Sequence, residues 1–139
     1  MYEYRVKIRR VVDGDTVDVD IDLGFGVWLK KQRIRLYGID TPESRTRDLE
    51  EKKFGLMAKE FLKKELADGA ILKTRLDGKG KYGRILGEFI TIIDGEEGEK
   101  WRHNVNEHMV ESHHAATYHG QSKEDIAEQH LVNRTFFDS

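Results

Sequence analysis

From Thr16 to Leu23 the chain reads Thr-Val-Asp-Val-Asp-Ile-Asp-Leu, with apolar and acidic residues in strict alternation. A period of two puts every apolar side chain on one face and every carboxylate on the other, which is the signature of a half-buried strand rather than a helix. The run opens after Asp13-Gly14-Asp15 and stops at Gly24-Phe25-Gly26, both turn sequences. Such a strand needs neighbours, and they lie on either side of it. Tyr4, Val6 and Ile8 alternate with Arg5, Lys7 and Arg9 before it. After it, a third strand is expected from Val27-Trp28-Leu29 to Ile34-Arg35-Leu36-Tyr37, with Ile34 and Leu36 on one face and Arg33, Arg35 and Tyr37 on the other.

The sole proline, Pro42, closes this β region in Asp40-Thr41-Pro42-Glu43. A residue before proline is pushed towards extended geometry, so a stiff loop is expected there. Phe54, Met57, Ala58, Phe61, Leu62 and Leu66 then follow helical spacing as a core-facing stripe, and Gly69 sits where a helix-ending glycine belongs. Strands are expected again at Ile71–Leu76 and from Tyr82 to Ile93, joined by the polar turn Asp77-Gly78-Lys79-Gly80. Val105, Met109 and Val110 suggest a short helix. Ser122-Lys123-Glu124-Asp125 caps a last helix that sets Ile126, Ala127, His130 and Leu131 on one face. The order β-β-β-α-β-β-α-α, with no internal repeat or linker, predicts one domain over 1–139, of α+β class and mainly β: a small closed barrel flanked by about three helices.

The chain has 139 residues, no cysteine and a formal net charge of -2. It is long enough for one core, and no disulfide or thiolate metal site can form. No apolar run approaches the ~20 residues of a membrane span, and Met1-Tyr2-Glu3-Tyr4-Arg5 lacks the layout of a signal peptide; a cytoplasmic location away from membranes is therefore expected, with a trimmed secreted chain as the alternative, and a monomer is the default. Charge is segregated. Lys30, Lys31, Arg33, Arg35, Arg45 and Arg47 face only Asp40 and Glu43 over their stretch, while Lys79, Lys81 and Arg84 form a second basic group. That distribution permits an anionic ligand on one face. Asp18, Asp20 and Asp22 imitate an EF-hand opening, but Leu23 and Leu29 occupy its sixth and twelfth positions, so a solvent-facing stripe is expected. All six histidines lie between His103 and His130 without metalloprotease spacing, and ordinary surface or partly buried histidines are the expectation.

Hydrolysis of a phosphodiester needs an activated water, neutralised phosphoryl oxygens and in-line geometry. Carboxylates around a hard cation and bidentate arginines meet those needs. Taken singly, Asp-Gly-Asp is a common surface turn, Asp-Thr-Pro-Glu a capping loop and Arg35 a solvated strand residue. Their joint order carries more. Val12-Asp13-Gly14-Asp15-Thr16-Val17, Arg35-Leu36-Tyr37-Gly38-Ile39-Asp40-Thr41-Pro42-Glu43 and Lys81-Tyr82-Gly83-Arg84 resemble the staphylococcal nuclease (thermonuclease) family, as do Phe54-Gly55 and Val105-Asn106-Glu107. The resemblance runs from about Tyr4 to His119.

That resemblance implies a five-stranded OB-fold barrel and a calcium-dependent nuclease that cuts single-stranded or unpaired DNA and RNA with little sequence preference, leaving 3′-phosphate ends. It implies one calcium ion held by Asp15, Asp40 and the carbonyl of Thr41, with Asp13 supporting from behind. Arg35 and Arg84 would bind the scissile phosphate, and Glu43 would act on the attacking water. Lys81 and Tyr82 would hold a neighbouring phosphate, and Tyr118 would take the place of a base-stacking aromatic pair that is not cleanly matched here. The competing expectations are a catalytically silent OB module that binds nucleic acid or a protein tail, and a calcium-binding structural domain.

Overall fold

The computed structural model describes residues 2–79 and 85–137. Its elements run β1 (Glu3–Asp13), β2 (Thr16–Asp22), β3 (Trp28–Leu36), β4 (Ile39–Asp40), α1 (Leu49–Glu65), β5 (Ala70–Lys79), β6 (Ile85–Asp94), β7 (Lys100–Asn104), α2 (Val105–Glu111), β8 (Ala116–Thr117) and α3 (Lys123–Arg134). Strands β3-β2-β1-β5-β6 lie side by side in that order, and a parallel pairing of β3 with β6 closes them into a five-stranded OB barrel. The alternating residues do what their period demands. Val17, Val19 and Ile21 of β2 meet Ile34 and Leu36 of β3, Leu72 of β5 and Phe89 of β6 in the core. Each such buried side chain contributes roughly 1.5–3 kcal/mol relative to exposure.

Helix α1 begins where Asp48 accepts hydrogen bonds from the Glu50 and Glu51 amides, with acidic residues in its first turn and Lys63 and Lys64 in its last. That charge order matches the helix dipole. Its buried stripe of Phe54, Ala58, Leu62 and Leu66 covers one end of the barrel, and Val105 and Met109 of α2 join the same cluster. No described helix is long and apolar enough to cross a membrane.

The closing seam is short: Ile34, Arg35 and Leu36 pair with Ile85, Leu86 and Gly87. Asn106, at the start of α2, extends it. Its amide nitrogen donates to the carbonyls of Tyr37 (2.9 Å) and Gly87 (3.1 Å), and its oxygen accepts from the Phe89 amide (3.2 Å).

Four expectations need correction. Asp20 is no part of a solvent-facing stripe; its side chain is fully buried. The β2–β3 register shifts between Val19 and Ile21, and Lys31 adopts a left-handed φ of 55°. Asp20 turns under this bulge, accepts from the Lys31 amide at 2.9 Å, and is covered by Arg9 (3.6 Å) and Lys30 (3.7 Å). The turn expected from Asp77 is also displaced, since β5 continues to Lys79; its end lies outside the described residues. Strand β7 was not anticipated, because Lys100-Trp101-Arg102-His103-Asn104 holds its place by main-chain pairing with β6 rather than by an apolar face. Finally, α3 is capped by Ser122 as expected, but His130 is its buried residue while Leu131 stays exposed.

Candidate functional site

The first turn of the chain and the third strand meet at one rim of the barrel. Thr16 pairs with Arg35 across β2 and β3, and the Leu36 amide donates to the Asp15 carbonyl at 2.8 Å. Arg35 points away from its core-facing neighbours Ile34 and Leu36, as the strand period requires. Its guanidinium lies 3.5 Å from Asp15 Oδ2 through one nitrogen and 3.5 Å from Asp40 Oδ1 through another. The terminal nitrogen that faces Asp15 also donates to the Leu36 carbonyl at 3.0 Å.

Asp40 is delivered by β4, whose two residues pair with β8 as Ile39↔Thr117 and Asp40↔Ala116. The Thr41 amide donates to Asp15 Oδ2 at 3.2 Å, which draws the start of the proline loop onto the Asp-Gly-Asp turn. Ser44 then donates to the Asp13 carboxylate from the loop's far side. The whole arrangement rests on α1 through missing side chains. A Cβ on Gly14 would come within 2.8 Å of Ala58 Cβ and 3.0 Å of Thr41 Cγ2. One on Gly55 would lie 2.4 Å from the Glu43 carbonyl oxygen. The loop backbone therefore lies directly on a glycine of the helix, and Glu43 is set by that contact.

Asp15 and Asp40 flank the Arg35 guanidinium, and Asp13 and Glu43 lie near enough to them for their charges to interact. Partial burial of the Glu43 carboxyl, then the negative charges of Asp15, Asp13, Asp40 and Glu51, raise its pKa above the usual glutamate value. Asp15, Asp40 and the Thr41 carbonyl offer hard oxygen donors, and the carboxylates gathered there suit a hard divalent cation. Chemically, the cluster can hold such a cation and present a planar cationic fork to a phosphate.

The structure thus brings Asp13, Asp15, Arg35, Asp40, Thr41 and Glu43 to one place. Lys81, Tyr82 and Arg84 lie outside the described residues. Tyr118 is exposed and follows β8 directly, its amide donating to the Gly38 carbonyl at 2.7 Å. Two neighbours escaped the sequence reading. Ser44 had no motif to mark it. His130 of α3 places Nε2 2.8 Å from Asp40 Oδ2, across 90 residues of chain, and no local pattern encodes a contact at that separation.

A closed OB barrel with an arginine set among carboxylates at its rim is the class of protein that the fold and this cluster define. Residues 33–135 match the family described as Staphylococcal nuclease homologue, and the chain belongs to that family. It is 33% identical over 123 residues to Endonuclease YhcR of Bacillus subtilis (strain 168), covering 84% of this chain and 9% of that protein. It is 36% identical over 80 residues to the Thermonuclease of Staphylococcus intermedius, covering 57% of this chain and 44% of that one. Protein ParB of Escherichia coli is 31% identical over 122 residues, or 86% of this chain and 62% of that protein. The chain thus spans less than two thirds of the length of each of these relatives.

Proposed function

We propose that this chain is a calcium-dependent nuclease that hydrolyses phosphodiester bonds in single-stranded or unpaired DNA and RNA, leaving 3′-phosphate and 5′-hydroxyl ends. The observation that carries this reading is the Arg35 guanidinium lying 3.5 Å from each of the Asp15 and Asp40 carboxylates, with Glu43 beside them. Family membership and the printed names of two relatives, an endonuclease and a thermonuclease, support it.

Asp15, Asp40 and the Thr41 carbonyl would hold calcium, which when bound supplies Lewis-acid neutralisation of a phosphoryl oxygen. Arg35 turns its fork to the scissile phosphate and stabilises charge that grows on the phosphoryl oxygens. Glu43, its pKa raised above the usual glutamate value, takes a proton from water as the water oxygen bonds to phosphorus. The phosphorus–O5′ bond breaks, and the 5′ oxygen leaves as a hydroxyl that takes its proton from solvent water. Arg84 is proposed as a second phosphate-binding guanidinium, Lys81 and Tyr82 as holders of a neighbouring phosphate, and Tyr118 as a stacking surface for a base. Asp13, through Ser44, keeps the proline loop in register.

The test is digestion of heat-denatured DNA with calcium, with EDTA, and with the Arg35→Ala/Glu43→Ala double variant. Calcium-dependent cleavage to 3′-phosphate ends, reduced at least about 100-fold in the variant, is expected. A folded, calcium-bound protein that cleaves nothing from pH 7 to 10 would overturn the reading in favour of a binding module.

A further inference from the structure

Ten residues along α1 from the glycine that carries the proline loop, a second cluster of ligating groups forms without any part in the proposed chemistry. At 1.5 Å per residue, Glu65 stands about 15 Å along the helix axis from Gly55. His103 Nε2 lies 3.0 Å from Glu65 Oε1, and His108 Nδ1 contacts the same oxygen. The three ligand atoms all lie within 4.8 Å of one another. They come from the last turn of α1, from β7 and from α2, three elements far apart in sequence. The two imidazoles stand edge to face with centroids 4.7 Å apart, and Phe61 backs the His108 ring at 5.2 Å. Side-chain exposures of 19%, 22% and 35% for Glu65, His103 and His108 leave the cluster reachable from solvent.

The residue types decide what such a group would take. Two imidazole nitrogens and one carboxylate oxygen match borderline divalent ions such as zinc, which binds at ~2.0–2.2 Å from each donor in a tetrahedron. Calcium asks for six to eight oxygens and finds one carboxylate here. One carboxylate oxygen faces both ring nitrogens, which makes the three side chains a ready donor set. Without metal, the same atoms form a hydrogen-bonded triad in which each ring donates an N–H to Glu65.

We propose that Glu65, His103 and His108 form a zinc site, separate from the calcium cluster, that ties the end of α1 to β7 and α2 and keeps one coordination position for water. The site lies where the helix that carries the proline loop ends, so zinc stiffens that support without touching Asp15, Arg35 or Asp40.

Zinc is titrated calorimetrically into the protein with excess calcium present, alongside His103→Asn, His108→Asn and His113→Asn variants. One zinc per chain is expected, with a rise in Tm. His103→Asn and His108→Asn should each weaken uptake about 100-fold or more while His113→Asn leaves it unchanged. A Tm in EDTA equal to wild type shows that a variant is folded. Should one fail to fold, the ring-nitrogen NMR signals of the wild-type protein decide instead: zinc must shift those of His103 and His108. No stoichiometric uptake overturns the proposal, as does uptake indifferent to His103→Asn and His108→Asn, loss with His113→Asn alone, or zinc shifts confined to other histidines.

Discussion

Asp20 carries a negative charge into a fully covered position and survives there because four partners surround it. The Lys31 amide first, and then the charges of Arg9, Lys30 and Lys7, lower its pKa against the upward pull of desolvation. A depressed folded-state pKa contributes stability above the unfolded value of about 3.9, and that contribution is lost as pH falls through the folded value. The Asp20→Asn variant should therefore melt below the wild type at neutral pH, and the gap should close as pH drops under about 4. Thermal melts of both proteins across that range check the sign; a gap that widens in acid would rule out the ionised contact as the cause. The same residue shows what a sequence conceals. Asp18, Asp20 and Asp22 are indistinguishable in the alternation. Only a register shift against β3 sends one of them inside.

Among the elements, α1 does two jobs with one buried face. Its apolar stripe was legible, since Phe54, Ala58, Leu62 and Leu66 repeat at helical spacing and all four are buried. Its role as a bed for the proline loop was less so, because what matters at Gly55 is an absent side chain. Gly55→Ala gives the helix a better former but places a methyl 2.4 Å from a backbone oxygen. Overpacking of this kind costs about 1–3 kcal/mol, outweighing the ~1 kcal/mol gained in helix propensity. The variant should be less stable in urea, and under the proposed function it should lose activity beyond that loss of stability, because Glu43 is what moves. An equally stable, fully active Gly55→Ala protein would show that the loop does not need this contact. Strand β7 and the reach of His130 to Asp40 mark the other side of legibility. An exposed edge strand has no period to read, and a contact across 90 residues has no local trace.

At the scale of the molecule, a small closed barrel followed from the order of alternating strands, helices and turns, whereas the seam that closes it did not. The parallel seam of β3 and β6 spans three residue pairs, and one buried side chain from α2 holds two carbonyls and an amide beside it. Asn106→Ala takes this partner from the Tyr37 carbonyl and the Phe89 amide, while the Gly87 carbonyl keeps the Tyr37 amide as a donor; the cost is about 1–3 kcal/mol for each group that water cannot reach. Denaturant unfolding should show a loss of about 2 kcal/mol or more. A loss under about 1 kcal/mol would mean that water replaces the amide.

Time is where that seam leaves its mark. A chain growing from its N-terminus has made all five barrel strands by Asp94, yet the side chain that fastens the first half to the second arrives only with Asn106. Until then β3 and β6 have three paired residues to hold a cylinder shut. Closure and the docking of α2 are therefore expected as a single late step, and amide protons at the seam, Tyr37 N–H foremost, should exchange with solvent only when the whole molecule opens.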